Sequence, residues 1–330
     1  MIRIKPMFFV EVILSLMMVS ACADSPSLNS SFRPKTQSKT SDLYAQFLYW
    51  FTGETLDFAY VEKGDPDNFD HSYKILDFDG APGFRVGFGY NLSYDGLDTQ
   101  ASYTWFHSTG SSQAKGVVTS VSLAARLSAL EPFDLITADT NLHYNIFDVD
   151  LGRNFFISKR IAIRPSLGIK GGWINQIIHV NVAKYDVLDL INIYGQDVFH
   201  NNFSGVGPKG GATGKLLLGD VNKGCFSILG TLEAGYLWGS WDISDKYLDT
   251  LGTKISLKTS PRNFGAMVCH GLIGLGWDCS FNKDRKHFSV QLGYEIEDWL
   301  NYLQIFTNIS GSQNTDLILQ GVNFGMRVDF

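Results

Sequence analysis

The chain closes on Gly321-Val322-Asn323-Phe324-Gly325-Met326-Arg327-Val328-Asp329-Phe330. Val322, Phe324, Met326, Val328 and Phe330 form one apolar row, with Asn323, Gly325, Arg327 and Asp329 between them. Successive strand side chains point to opposite faces, so this stretch reads as a strand with one apolar and one polar face. Asn323, Gly325, Val328 and Phe330 also fit, position by position, the pattern polar-x-Gly-x-x-apolar-x-aromatic. Barrel proteins of the bacterial outer membrane present such a last strand to their insertion machinery. An unpaired edge offers backbone groups for strand addition and its side chains give specificity.

The same period of two runs backwards through the chain. Phe84, Val86, Phe88 and Tyr90 alternate with Arg85, Gly87, Gly89 and Asn91, and Phe288, Val290, Leu292, Tyr294 and Ile296 with polar or small residues. Ten candidate strands follow, at 43–53, 82–92, 97–107, 139–151, 160–173, 203–218, 225–238, 264–278, 286–298 and 318–330. The run 139–151 slips phase between Ile146 and Phe147, for which a β-bulge is the simplest account. Connections alternate between long ones of 19–31 residues and short ones of 4–8. Short turns at one end and long loops at the other are the habit of an antiparallel transmembrane β-barrel with periplasmic turns and extracellular loops. A twelve-strand ring also fits, because 116–123 is itself strand-like. A soluble sandwich has no reason to sort its loops by parity.

Composition agrees. The 330 residues are 45% hydrophobic and 14% aromatic but only 18% charged, against about 25% charged in an ordinary soluble domain. Mean hydropathy is nevertheless −0.01, as expected when strand faces of opposite hydropathy average out. A net charge of −6 argues against nucleic acid as a partner.

At the other end, Arg3 and Lys5 precede an apolar stretch from Met7 to Ser20 and the small-x-small site Ala21-Cys22-Ala23. Residues 1–23 therefore read as a secretory signal peptide, 24–42 as a flexible segment and 43–330 as the barrel. Val19-Ser20-Ala21-Cys22 also resembles a lipobox, a second reading with Cys22 as a lipidated N-terminus.

Three stretches carry a family resemblance: Gly83-Phe84-Arg85-Val86-Gly87-Phe88-Gly89-Tyr90, Leu151-Gly152-Arg153-Asn154-Phe155-Phe156 and Asn201-Asn202-Phe203-Ser204-Gly205-Val206-Gly207-Pro208. With Tyr49-Trp50 and the closing strand, they resemble the legionella-type major outer membrane proteins, which also occur in environmental chlamydiae. The resemblance implies a pore-forming outer-membrane barrel, with lipid and the insertion machinery as partners and no catalytic residues. A second copy of the chain is a further candidate partner.

The polar strand faces supply the candidate site. Arg85, Arg160, Arg164, Lys170, Lys209, Glu233, Glu295, Glu297 and Arg327 are expected to line the lumen. The basic residues of 160–170 would then face the acidic pair Glu295 and Glu297 as two walls of a solute path; the same charges could instead pair and plug a narrow lumen. Cys225 and Cys279 fall at one end of the barrel and are candidates for a disulfide, although their strand parities oppose it. Gly205-x-Gly207-x-x-Gly210 matches a dinucleotide fingerprint in form, but no helical pattern follows it. His71, His107, His143 and His179 are spaced by 36 in unrelated contexts, read here as coincidence. No two histidines lie within four residues of each other, so no local metal site and no cofactor is expected. The second functional reading is a non-conducting surface antigen or adhesin acting through its long loops. A third, weaker one is a barrel hydrolase using Asp57, Asp67, Asp70 and His71.

Overall fold

A computed structural model describes residues 41–54, 57–65, 68–92, 97–128, 130–158, 160–185, 192–218, 224–259, 262–281, 286–307 and 311–330. The signal peptide, Cys22 and nearly all of the 24–42 segment lie outside the described residues. The elements are β1 (Ser41–Glu54), β2 (Asp57–Asp65), β3 (Asn68–Ile75), β4 (Ala81–Asn91), β5 (Leu97–Ser120), helix α1 (Leu123–Leu127), β6 (Phe133–Arg153) and β7 (Phe155–Phe156). They continue with β8 (Ile161–Tyr185), β9 (Asn192–Leu217), β10 (Cys225–Asp249), β11 (Lys254–Lys258), β12 (Arg262–Phe281), β13 (Lys286–Thr307) and β14 (Gly311–Asp329).

Ten of these strands close a ring in the order β1-β4-β5-β6-β8-β9-β10-β12-β13-β14, and β14 returns to β1. The closing pair runs antiparallel from Asp42↔Asp329 to Glu54↔Leu317. Ser41 and Phe330 then exchange two backbone hydrogen bonds, at 3.0 and 2.9 Å. Closure removes every exposed sheet edge from the ring. Outside it, the β2–β3 hairpin rests on β5, β7 on β8 and β11 on β10. Twelve ring strands are thus ruled out: residues 116–120 continue β5, and the extra hairpin comes from 57–75. Among the described residues no helix is long and apolar enough to cross a membrane.

The strands are much longer than their hydropathy suggests. β8, β9 and β10 contain 25, 26 and 25 residues, whereas a tilted crossing needs about 9–11. Most of what reads as long loop is strand that continues past the apolar belt.

β6 shows why. Its register with β5 is unbroken from Leu97↔Arg153 to Lys115↔Leu135, and that with β8 from Leu135↔Ala183 to Gly152↔Ser166. There is no bulge at Ile146. Even-numbered residues point inward throughout: Leu142, Tyr144 and Ile146 are buried, and so are Asp148 and Asp150. Outward, His143 and Asn145 give way to the exposed Phe147, Val149 and Leu151. The phase slip in the sequence is therefore a change of surroundings. Below Ile146 the barrel is polar inside and apolar outside, as lipid requires; above it the wall is apolar inside and polar outside, as water requires. The same inversion occurs on β8 between Lys170 and Ile174 and on β10 between Glu233 and Trp241.

Ile146, Gly172, Gly205 and Gly239 are successive register partners across β6, β8, β9 and β10 at this level. A Cβ at Gly205 or Gly239 would collide with the Phe203 ring. These glycines leave room for a large inward side chain, so the Gly205-x-Gly207-x-x-Gly210 stretch is strand packing within β9, which continues to Leu217.

Candidate functional site

The lumen is built in layers, each set by the inward row of the long strands. Nearest the short turns is a ring of ion pairs. Arg164 holds Asp98, and Asp150 at 2.6 Å. Arg327 reaches Asp42 at 3.1 Å and Asp329 at 2.9 Å. Asp278 accepts from Ser227 at 3.0 Å and pairs with Lys215 and His287.

The next layer crosses the lumen. Arg85 of β4 meets Glu295 of β13 at 3.1 Å, and Lys170 of β8 meets Glu297 of β13 at 2.8 Å. Lys209 lies 3.0 Å from Asp148, 3.6 Å from Asp150 and 3.5 Å from Glu233. Glu295 also accepts from Asn323 at 3.1 Å, and His270 Nε2 lies 3.4 Å from it. Lys170 and Lys209 are each shared between carboxylates of two strands, and Arg85 adds Gln46 and Thr104 to its one carboxylate, as burial requires: an ion taken from water is tolerable only when paired and hydrogen-bonded.

Above the charges the lumen is shut by rings. Phe106 packs on Trp50 at 5.3 Å, Trp50 on Tyr144 and Tyr144 on Trp299 at 6.1 Å each, Trp299 on Phe203 at 6.0 Å, and Phe203 on Trp241 at 4.3 Å. These six residues come from β5, β1, β6, β13, β9 and β10, so the row spans the barrel from wall to wall. All are at most 1% exposed. The septum is tied to the layer below: Trp50 donates to Glu295 at 2.9 Å and Tyr144 to Glu297 at 2.8 Å. A β-bulge between Trp299 and Leu303, with Asn301 at φ 56°, turns Tyr302 inward as well. Its hydroxyl donates across the lumen to the Ile174 carbonyl at 3.2 Å.

Below the septum remains a cavity of about 340 Å³. Of the residues expected to line the lumen, Arg85, Arg164, Lys170, Lys209, Glu233, Glu297 and Arg327 border it, and Glu295 is buried beside it. Arg160 is misplaced in the sequence reading: it is exposed in the turn before β8, because the strand starts one residue later. The two opposed walls are also corrected, since Lys170 and Glu297 touch and leave no gap between them. Sequence reading missed Asp98, Asp148, Asp150, Asp278 and His270, and the whole septum; Asp148 and Asp150 alternate with Phe147, Val149 and Leu151 and were legible as an inward row.

The remaining candidates are placed as follows. Asn323 is fully buried inward and Gly325 borders the cavity, whereas Val328 and Phe330 are exposed on the outer face. Cys225 opposes Asp278 in register, and Cys279 opposes Phe288 one position on, so their side chains leave opposite faces of the sheet. Both remain thiols. Of the hydrolase candidates, Asp67 and the side chains of Asp70 and His71 lie outside the described residues. Among the described residues no cluster of three or more His, Cys, Asp or Glu is disposed to hold a metal.

Beyond the septum the strands form a tower with its own apolar core, including Ile136, Ile178, Val180, Phe199 and Ile243. Helix α1 packs against β5, β9, β10 and β11 there, with Ala124 and Ala125 fully buried. Ser122 Oγ lies against Asp197 and 3.2 Å from Asp245, whose carboxylate also accepts from the Ala124 amide at 3.4 Å. Burial, with Asp245 beside it, raises the Asp197 carboxyl well above the usual carboxylate range.

A closed antiparallel ring with an apolar belt outside and charges inside is a transmembrane β-barrel, and the fold and its interior place this chain in that class. Residues 33–330 match the model of the Legionella pneumophila major outer membrane protein precursor family. The chain belongs to that family, and its location is the bacterial outer membrane. Comparison with curated proteins finds no match. Among solved structures it is similar to a major outer membrane protein from Thermus thermophilus, at 10% identity and a TM-score of 0.33, covering 89% of this chain and all of that one. It is also similar to the outer membrane protease OmpT of Escherichia coli, at 10% identity and a TM-score of 0.39, over 94% of this chain and 99% of that one. A third is the monoaromatic hydrocarbon channel CymD, at 10% identity and 0.35, over 92% and 91%. Likeness at this level says nothing of function.

Proposed function

We propose that this protein is a pore-forming barrel of the outer membrane that passes small hydrophilic solutes or ions, held here in a shut state. The observation that carries the reading is the charge-lined cavity of about 340 Å³ within the membrane-spanning half of the lumen. A barrel serving only as a wall would be at least as stable with packed apolar residues there, because buried ion pairs often lose more in desolvation than they gain. Ionisable groups at membrane depth ordinarily mark a solute or ion path, and pore formation is also what the family resemblance implies. The mechanism is passive and assigns no catalytic residue and no cofactor. Passage requires the Trp50–Tyr144–Trp299 septum, and the tower core above it, to part.

One observation favours a second reading, a non-conducting surface barrel acting through its tower. The tower interior is filled by its own core, and α1 packs into it against β5, β9, β10 and β11. Recordings from the refolded chain in planar bilayers separate the two. The channel reading predicts discrete openings whose ion selectivity shifts when Lys209 is replaced by Glu. Silence at every voltage, in the wild type and in septum variants alike, would favour the surface barrel.

A further inference from the structure

The 36-residue spacing of His107 and His143 has a structural consequence: the two are direct register partners across the β5–β6 hairpin. Both point outward, just above the belt formed by Trp105 and Phe147. Their rings stack at 4.4 Å between centroids with 16° between planes. His107 Nε2 lies 2.8 Å from Asn141 Oδ1, two residues from His143 on the same face. An amide oxygen only accepts, so this bond puts the proton on Nε2 and leaves the lone pair on Nδ1.

We infer that His107 and His143 form a surface site for a divalent transition metal ion, with Asn141 as the positioning residue that fixes the tautomer of His107. Neutral imidazole suits copper, nickel and zinc. Metal-binding histidines ordinarily donate their second ring N–H to a fixed oxygen acceptor, the part that Asn141 plays. Rotation of the exposed His143 ring about its Cβ–Cγ bond brings a second nitrogen to the ion, and water completes the shell. His179 opposes Asp139 four register pairs further along the sheet and is not part of the pair.

The test is Cu²⁺ titration of the refolded full-length chain in detergent, followed by electron paramagnetic resonance. The expected wild-type spectrum shows two nitrogen ligands. The pair His107→Gln and His143→Gln should abolish that signature and weaken the tightest site by at least about tenfold, and Asn141→Ala should weaken it by about 10–100-fold. His179→Gln should leave it unchanged. Circular dichroism confirms the barrel in each variant, and His107→Ala with His143→Ala replaces any that misfolds. A wild-type spectrum without imidazole nitrogen, or a double variant that binds as tightly as wild type, would show that the pair is only an aromatic stack.

Discussion

The Trp50 indole donates to a Glu295 carboxylate oxygen at 2.9 Å, with both residues fully buried. That bond joins the two opposed halves of the barrel interior, the charged lumen within the membrane and the apolar core above it. The bond also makes Trp50 more than a filler. Trp50→Phe retains a ring but leaves Glu295 short of a donor, and should cost about 1–3 kcal/mol in urea unfolding of the lipid-refolded barrel. A neutral substitution would mean that Asn323 and Arg85 already satisfy Glu295.

Lys170 lies within ion-pair distance of Glu297, at 2.8 Å, and of Asp148, at 3.5 Å. Lys170→Met leaves Glu297 with the Tyr144 hydroxyl but no cation, and Asp148 with Lys209 alone, and should destabilise by about 3–5 kcal/mol. Adding Glu297→Gln should restore part of that loss, which a double-mutant cycle reads as coupling. Strict additivity would show that the two do not interact.

Asp197 gives the tower a pH dependence. Its carboxyl is raised by burial and by Asp245 beside it, so the folded tower keeps a proton that the unfolded chain gives up near pH 4. The stability linked to this group is full below that pH and is lost as pH rises towards the raised value. Protection of the tower from protease should fall between acid and mildly alkaline pH, and Asp197→Asn should flatten the slope. Protection that rises with pH would contradict the assignment.

Phe330 closes the ring through its backbone bonds to Ser41 and exposes its side chain on the outer face. Deleting it removes both the last rung and the terminal aromatic of the proposed assembly signal. The truncated chain should collect in the periplasm, as cell fractionation would show; normal insertion would remove that role from the residue.

The membrane-spanning half of this fold was legible in the sequence because lipid enforces strict alternation there. Phe84, Val86 and Phe88, read as one apolar row, all face outward. The tower was not legible, because its strands alternate in the opposite phase. Where Ile146 and Phe147 adjoin, two correct halves looked like a backbone fault. Arg85, Lys170, Glu295 and Glu297 could be read as inward by parity, but strand parity alone gives no distance across a lumen. Whether opposed charges touch depends on ring size and tilt. The septum was hidden for the same reason: Trp50, Tyr144 and Trp299 are 94 and 155 residues apart in sequence, and only closure of the ring brings them together.

The central claim is that this septum shuts the lumen. Single-channel recording of the wild type beside the Trp50→Ala, Trp299→Ala double variant tests it most directly. The septum predicts a wild type that is closed for most of the record and a variant with long-lived, larger openings. A wild type that conducts steadily, with a current the variant does not raise, would contradict it.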